Sequence, residues 1–232
     1  MGQTKQGAFD MTYHHIDAPT KQDEEYGKAT KKWRLLLPND GGDEIYRSPL
    51  VGYLSTSLWS YSRKVDGENM RVQWNGEQAL WNGKSNAYQC GSDITEYMNN
   101  VFQEEIFEEK FGRDKNVVIF GEIMGPKVQT NELKLDSPSF IVFDVNINGT
   151  WLCPGDVCSI ADYFGLNTCY TYMDGGLGHS DTLENLIKRV AGGEFKDWEG
   201  IVATPLVEIR DQSGGRVIVK IKNRDYIRDE QE

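Results

Sequence analysis

Histidine and cysteine are scarce in this chain, and neither is arranged for chemistry. The three histidines, His14, His15 and His179, make no metal or catalytic-triad pattern. Cysteines stand only at Cys90, Cys153, Cys158 and Cys169. The CPGDVC stretch puts four residues between its sulfurs, and no histidine is close enough to complete a zinc set. Imidazole-based catalysis and a structural zinc are disfavoured, and the thiols are expected to be free and buried. Long hydrophobic runs are absent, as is the basic-then-apolar pattern of a secretory leader, so a soluble, cytoplasmic protein with no membrane partner is expected. Positive charge is in deficit as well: 25 Lys and Arg against 36 Asp and Glu give a net charge of −11. That balance argues against indiscriminate binding to polyanions, because phosphate contacts need local positive potential.

The chain does hold enough apolar material for a core, since 38% of 232 residues are hydrophobic and the charges are interspersed rather than blocked. Basic clusters survive the acidic balance at KKWR (31–34) and in the run holding Lys220, Lys222, Arg224 and Arg228. Residues 1–45 read as an N-terminal extension whose DAPTKQDEE stretch is a loosely held arm, and PNDGGDE near its end is a turn signal. The rest, 46–228, reads as one mixed domain. Residues 69–81 predict a hairpin turning at Asn-Gly. The spacing of Ile94, Tyr97, Met98, Val101, Phe102 and Phe107 predicts one helix over 94–112. NVVIFGE predicts a buried strand, and SFIVFDVNINGTWL two strands about a second Asn-Gly. GDVCSIADYFG and TLENLIKRVAGG predict amphipathic helices. EGIVATPLVEI and GGRVIVKIKN predict a closing strand pair. The class is α+β, with mainly antiparallel sheets flanked by helices.

Within this frame stands KVDGENMRV, a lysine two places before an aspartate and three before a glycine. Alone, Lys-x-Asp-Gly arises by accident in roughly one chain in twenty of this length, and a turn with solvated charges explains it. Four further short motifs succeed it in a fixed order, which chance does not readily produce: FGE at 120–122, FIVFD at 140–144, EGIV at 199–202 and KIK at 220–222. The series resembles nucleotidyl-transferase motifs I, III, IIIa, IV and V of ATP-dependent ligases and mRNA-capping enzymes. With Asn69 five places after Lys64, and with WNGKSNA and FGEIMGPKVQ, residues 50–225 are most similar to the RNA ligases of the nick-sealing and RNA-editing type and their phage relatives.

The resemblance implies an ATP-grasp-like adenylation domain and an ATP-dependent RNA ligase with ATP and Mg²⁺ (or Mn²⁺) as cofactors. It implies that Lys64 takes AMP from ATP, passes it to an RNA 5′-phosphate, and leaves a 3′-hydroxyl to seal the strand. Lys220 and Lys222 alternate on one strand face, and the resemblance sets them against the phosphates. It gives Glu199 metal binding and AMP transfer, Glu122 the ribose hydroxyls, and Phe143 the adenine, with Phe140 as the alternate. It also puts Asp66, Gly67 and Asn69 beside the nucleotide. Lys84 stands where the family usually has a phosphate-binding Arg; it can supply the charge without the fork. Asp144 is read as structural and Arg71 as a surface cation. Arg63 departs from the usual Glu before the nucleophile. The chain ends ten residues after Lys222, so no C-terminal oligonucleotide-binding (OB) domain is expected, and RNA-end binding would draw on this domain, the N-terminal segment or an accessory protein. The rival readings are a DNA ligase or capping-type enzyme, and a catalytically silent nucleotide- or RNA-binding module.

Overall fold

A computed structural model of the chain describes residues 11–30, 34–85, 87–170 and 179–226. Lys31 and Lys32 of the first basic cluster, and Arg228 of the second, lie outside them. In chain order the elements are α1 (Glu24–Thr30), α2 (Pro49–Tyr53), β1 (Leu58–Lys64), β2 (Glu68–Trp74), β3 (Ala79–Gly83), α3 (Ser92–Val101), α4 (Glu104–Phe111), β4 (Val117–Met124), β5 (Ser139–Ile147), β6 (Thr150–Trp151), α5 (Pro154–Tyr163), β7 (Ser180–Thr182), α6 (Leu183–Ala191), β8 (Gly200–Pro205) and β9 (Val219–Lys222). The described residues separate into two compact units. One is built from 66–170 with the stretch up to Tyr13, the other from 14–65 and 179–226. Among the described residues no helix is long and apolar enough to cross a membrane.

The first unit holds a five-stranded antiparallel sheet in the order β3-β2-β4-β5-β6. Met70, Val72, Trp74, Ile119, Ile123, Phe140 and Val142 project from one face into a core shared with Met98 of α3, Phe102 just past its end, Phe107 of α4 and Val157 of α5. Both hairpins form as expected. In the first, Asn75 Oδ1 accepts from the amides of Glu77 and Gln78, and Gly76 takes φ 93°. In the second, Asn148 and Gly149 take φ 51° and 85°, the pair of left-handed residues a tight hairpin requires. The single helix expected over 94–112 is instead two, broken at Phe102–Gln103. Continued unbroken, the stripe of Ile94, Met98 and Phe102 would carry Glu105 toward the core. The break resets the rotation, so that Phe107 is fully buried and packs against Trp74 and Phe164.

The second unit holds a four-stranded sheet in the order β7-β1-β8-β9, with every neighbouring pair antiparallel. Trp59, Tyr61, Ile201, Ala203, Val219 and Ile221 alternate onto one face and meet Leu183, Leu186, Ile187 and Val190 of α6. The opposite face of the same strands carries Lys64, Val202, Lys220 and Lys222. β1 and β2 therefore belong to different sheets, and the KVDG stretch is a passage between sheets rather than a hairpin.

The DAPTKQDEE stretch is not a loose arm where it is described. Asp17 bridges Val219 beside β9, and Asp17 O accepts from the Lys220 amide at 3.0 Å. Ala18 and Thr20 are buried, Arg34 pairs with Asp23, and Thr20 and Tyr226 share a buried hydroxyl–hydroxyl hydrogen bond of 2.9 Å. Polar composition misled because these polar atoms are satisfied by partners far along the chain. Thr20→Val keeps the shape and strands the Tyr226 hydroxyl. It is expected to lower the unfolding free energy by about 1–3 kcal/mol in denaturant titrations, with the loss much reduced when Tyr226→Phe removes the second hydroxyl.

Candidate active site

Register brings three predicted residues of the second unit into one group. Lys64 lies opposite Gly200 on β8, and Gly200 lies opposite Lys222 on β9, so two lysines flank a residue without a side chain in one row. Lys220 stands two residues earlier on the same face. Glu199, immediately before Gly200, reaches into the row. Its Oε2 accepts from Lys64 Nζ and its Oε1 pairs with Lys222 Nζ at 2.5 Å. All three side chains are largely buried, 21% exposed for Lys64 and 14% for the other two. Water screens such a cluster poorly, which separates it from an ordinary surface pair.

Gly200 is there for two reasons. Its φ of 151° disfavours a side chain, and an added Cβ would lie 2.1 Å from the carbonyl oxygen of Ile221. Asn223, just past Lys222, ties down the backbone on the other side. Its amide donates to Glu199 O at 3.1 Å, and its Nδ2 donates to Trp198 O and Phe195 O at 2.5 and 2.6 Å. No sequence motif pointed to Asn223. Its only signal was a polar residue directly after KIK.

The electrostatics come from the packing. Burial alone would raise the Glu199 carboxyl, but the hydrogen bonds from Lys222 and Lys64 and their charges outweigh it and hold the group below the ordinary carboxylate range. Lys220 is pushed down, first by burial and then by the charges of Lys222 and Lys64, against the opposing pull of Asp17 and Asp225. Arg63, the unusual residue before the lysine, points to the other face and lies over the Trp198 ring at 5.3 Å.

The remaining predicted residues belong to the first unit. Asn69 on β2 is directly opposite Glu122 on β4, and both project from the face away from the apolar core. Gly67 permits the tight approach beside them, since an added Cβ would lie 2.4 Å from Ile123 O and 2.8 Å from Glu122 Cγ. The Asp66 carboxylate accepts from Thr130 Oγ1 at 2.9 Å. Phe143 is the extra residue of a β-bulge: Phe120 pairs with Asp144 and Gly121 with Val142, leaving Phe143 without an opposite number. Alternation from Phe140 and Val142 puts Phe143 on the face that carries Phe120 and Glu122, and the bulge adds Asp144 to that face, whereas the alternate Phe140 is fully buried in the core against Phe102.

Tyr13 stands against Phe143 edge-on at 5.0 Å, contacts Phe120 and Trp151, and donates to Asp144 Oδ2 at 2.9 Å. Asp144 itself is buried. Lys84 is exposed at the first position past β3. Arg71 corrects an expectation: it is 1% exposed, not a surface cation, because alternation puts it on the same face as Asn69 and its guanidinium finds backbone carbonyls there. The thiols are free as expected but not all buried, for Cys153 is exposed at the start of α5, with its Sγ donating to Asp156.

The RNA ligase family model matches residues 58–222, from the first residue of β1 to the last of β9 and well over half of the chain. A search of curated proteins finds no match. Among solved structures the chain resembles Naegleria gruberi RNA ligase. A variant with AMP and Mn gives a TM-score of 0.56 at 18% identity, covering 77% of this chain and 53% of that one. A variant with ATP and Mn gives 0.55 at 16%, covering 76% and 54%. The ligase with PPi gives 0.53 at 16%, covering 75% and 52%. At this identity the likeness is one of fold, and the chain spans about half the length of these proteins.

Removing the anion from the lysine row has a definite pH signature. Glu199 has a folded pKa below its unfolded value, so its contribution is present above the unfolded value near 4.5 and is lost as pH falls toward the folded one. Glu199→Gln is expected to be less stable than wild type at pH 7 by about 1–3 kcal/mol. The gap should close in chemical-denaturation series run from about pH 5 downward. A gap that stays constant with pH would contradict the arrangement.

Proposed function

The chain belongs to the RNA ligase family, and from that premise we propose that it is an ATP-dependent RNA ligase working through a lysyl-AMP intermediate on Lys64. The observation that carries the reading is the group formed by Lys64, Glu199 and Lys222, with Lys220 beside it on one sheet face. We take 46–228 as the adenylation domain and the residues through 45 as its N-terminal extension, part of which is built into the second unit.

In the first step the pair between Lys64 and Glu199 opens and Lys64 Nζ, having released its proton to solvent, attacks the α-phosphorus of ATP. A nitrogen–phosphorus bond forms, the bond to the bridging oxygen breaks, and pyrophosphate leaves with the electron pair. Lys220 and Lys222 offset the charge growing on the phosphates. In the second step an oxygen of the RNA 5′-phosphate displaces Nζ from AMP and restores the lysine. In the third, the RNA 3′-hydroxyl attacks the activated 5′-phosphorus, loses its proton, and AMP departs. The nucleoside falls to the first unit's residues. Glu122 accepts from the ribose hydroxyls, Phe143 stacks on adenine, Asn69, Asp66 and Gly67 line its approach, and Lys84 meets a phosphate.

The donor set fits a hard divalent ion. Glu199 offers carboxylate oxygens that now hold two ammonium groups, and Mg²⁺ needs few protein carboxylates when ATP oxygens and water complete its shell. Such an ion, Mg²⁺ or Mn²⁺, neutralises charge on the transferring phosphate when bound.

Incubation with ATP and Mg²⁺ and then intact-protein mass spectrometry is expected to show the mass of one AMP added to the wild type and none added to Lys64→Ala. A parallel incubation with GTP should leave the protein unmodified, and the adenylylated protein should seal nicked RNA in preference to nicked DNA. A wild type that never gains AMP with either metal sinks the proposal.

A further inference from the structure

The loop carrying Lys84 is fastened from two sides by Arg71 and Tyr88, to which the sequence motifs give no part in binding. β2 and β3 pair as far as Met70 opposite Gly83. Just past that rung Arg71 Nη1 donates to Gly83 O at 2.6 Å and to Lys84 O at 2.8 Å. At 1% exposure Arg71 cannot itself touch a ligand, and burial pushes its pKa down. A guanidinium held at that cost is fixing backbone.

Tyr88 closes the loop from the other side. Its ring lies on Gly83, where an added Cβ would come within 2.3 Å of a ring carbon. Its amide donates to Ser85 O at 3.2 Å and its hydroxyl to Glu68 Oε2, and burial, then Glu68, pushes the phenol up. Between the two fasteners Lys84 presents an exposed side chain. A lysine has no planar fork to align it with a phosphate and has a long stem to immobilise, so the accuracy of its placement depends on the backbone that bears it.

We propose that Arg71 and Tyr88 are positioning residues that hold the Lys84 backbone so that its ammonium meets a phosphate of ATP. This rests on the ligase reading above, in which Lys84 binds a phosphate.

The test is the rate of lysyl-AMP formation against ATP concentration for the wild type, Lys84→Ala, Arg71→Lys, Tyr88→Phe and the doubles with Lys84→Ala. Lys84→Ala is expected to raise the half-saturating ATP roughly tenfold. Arg71→Lys keeps the charge but not the geometry and should raise it several-fold. Tyr88→Phe, which keeps the ring but loses the Glu68 bond, should raise it less. In the Lys84→Ala background both increments should vanish, because the residues act through one another.

A merely structural Arg71 would lower the melting temperature or the reactive fraction equally in both backgrounds and leave the half-saturating ATP unmoved, and that result overturns the proposal. If Arg71→Lys does not fold, Tyr88→Phe decides alone, with unchanged saturation the overturning result. A wild type that forms no adduct would overturn the ligase reading and this inference with it, an outcome distinct from an adduct whose ATP dependence ignores Arg71 and Tyr88.

Discussion

One carboxylate shared by two ammonium groups organises the second unit. Strand order puts Lys64 and Lys222 on either side of β8, and register sets both opposite Gly200. Like charges a few ångströms apart repel by about 4 kcal/mol even at an effective dielectric near 20, so the row needs an anion. Glu199 provides it from the adjoining backbone position, one oxygen to each lysine. Its place depends in turn on the glycine just after it and on Asn223 gripping the 195–199 backbone. The nucleophile assigned to Lys64 is therefore not a lone amine at a strand end. It is one arm of a charge-balanced clasp, and any anion or cation that enters must compete with a partner already in place.

Much of this was legible in the sequence because the informative signals were local. Asn-Gly turns, the alternation in VKIK and the apolar stripe of LENLIKRVA each report geometry within a few residues, and those elements form as expected. The charged residues Lys64, Glu199, Lys220 and Lys222 were legible through their order along the chain, and register then gathers them. The hidden features were non-local. The break at Phe102 depends on what Phe107 must reach across the core, and the burial of residues 18–20 depends on Tyr226, some two hundred positions away. The bulge that sets Asp144 on the same face as Phe143 comes from pairing with β4, which alternation within β5 does not reveal.

Charge was the least legible quantity. A net charge of −11 suggests a surface that repels nucleic acid, yet the glutamates of α3 and α4 and the lysines of β1 and β9 belong to different units. Global balance averages over this segregation. The burial of Arg71 is hidden for a related reason. Charged side chains are seldom buried, so the prior favoured solvent, but a guanidinium has five donors and can be satisfied by backbone carbonyls where a strand pair ends.

A single device recurs at the two ladder positions that matter most. At Gly200 the missing side chain lets the β9 backbone at Ile221 and Lys222 come close beside the carboxylate that Lys64 and Lys222 share; at Gly83 it lets Tyr88 pack against the strand while Arg71 takes the carbonyls. A Cβ at either position would meet its neighbour at 2.1 or 2.3 Å, inside any tolerable contact. Each glycine weakens its strand, by roughly 0.5–1 kcal/mol relative to alanine in a strand interior, and stability alone would not select it. The loss is offset only if the charged side chains converging there are needed where they are. The one glycine directly succeeds the carboxylate that clasps Lys64, and the other directly precedes Lys84. This common placement is why the lysine row and the Lys84 loop are best understood as two instances of one constraint: charge fixed in place by the local absence of a side chain.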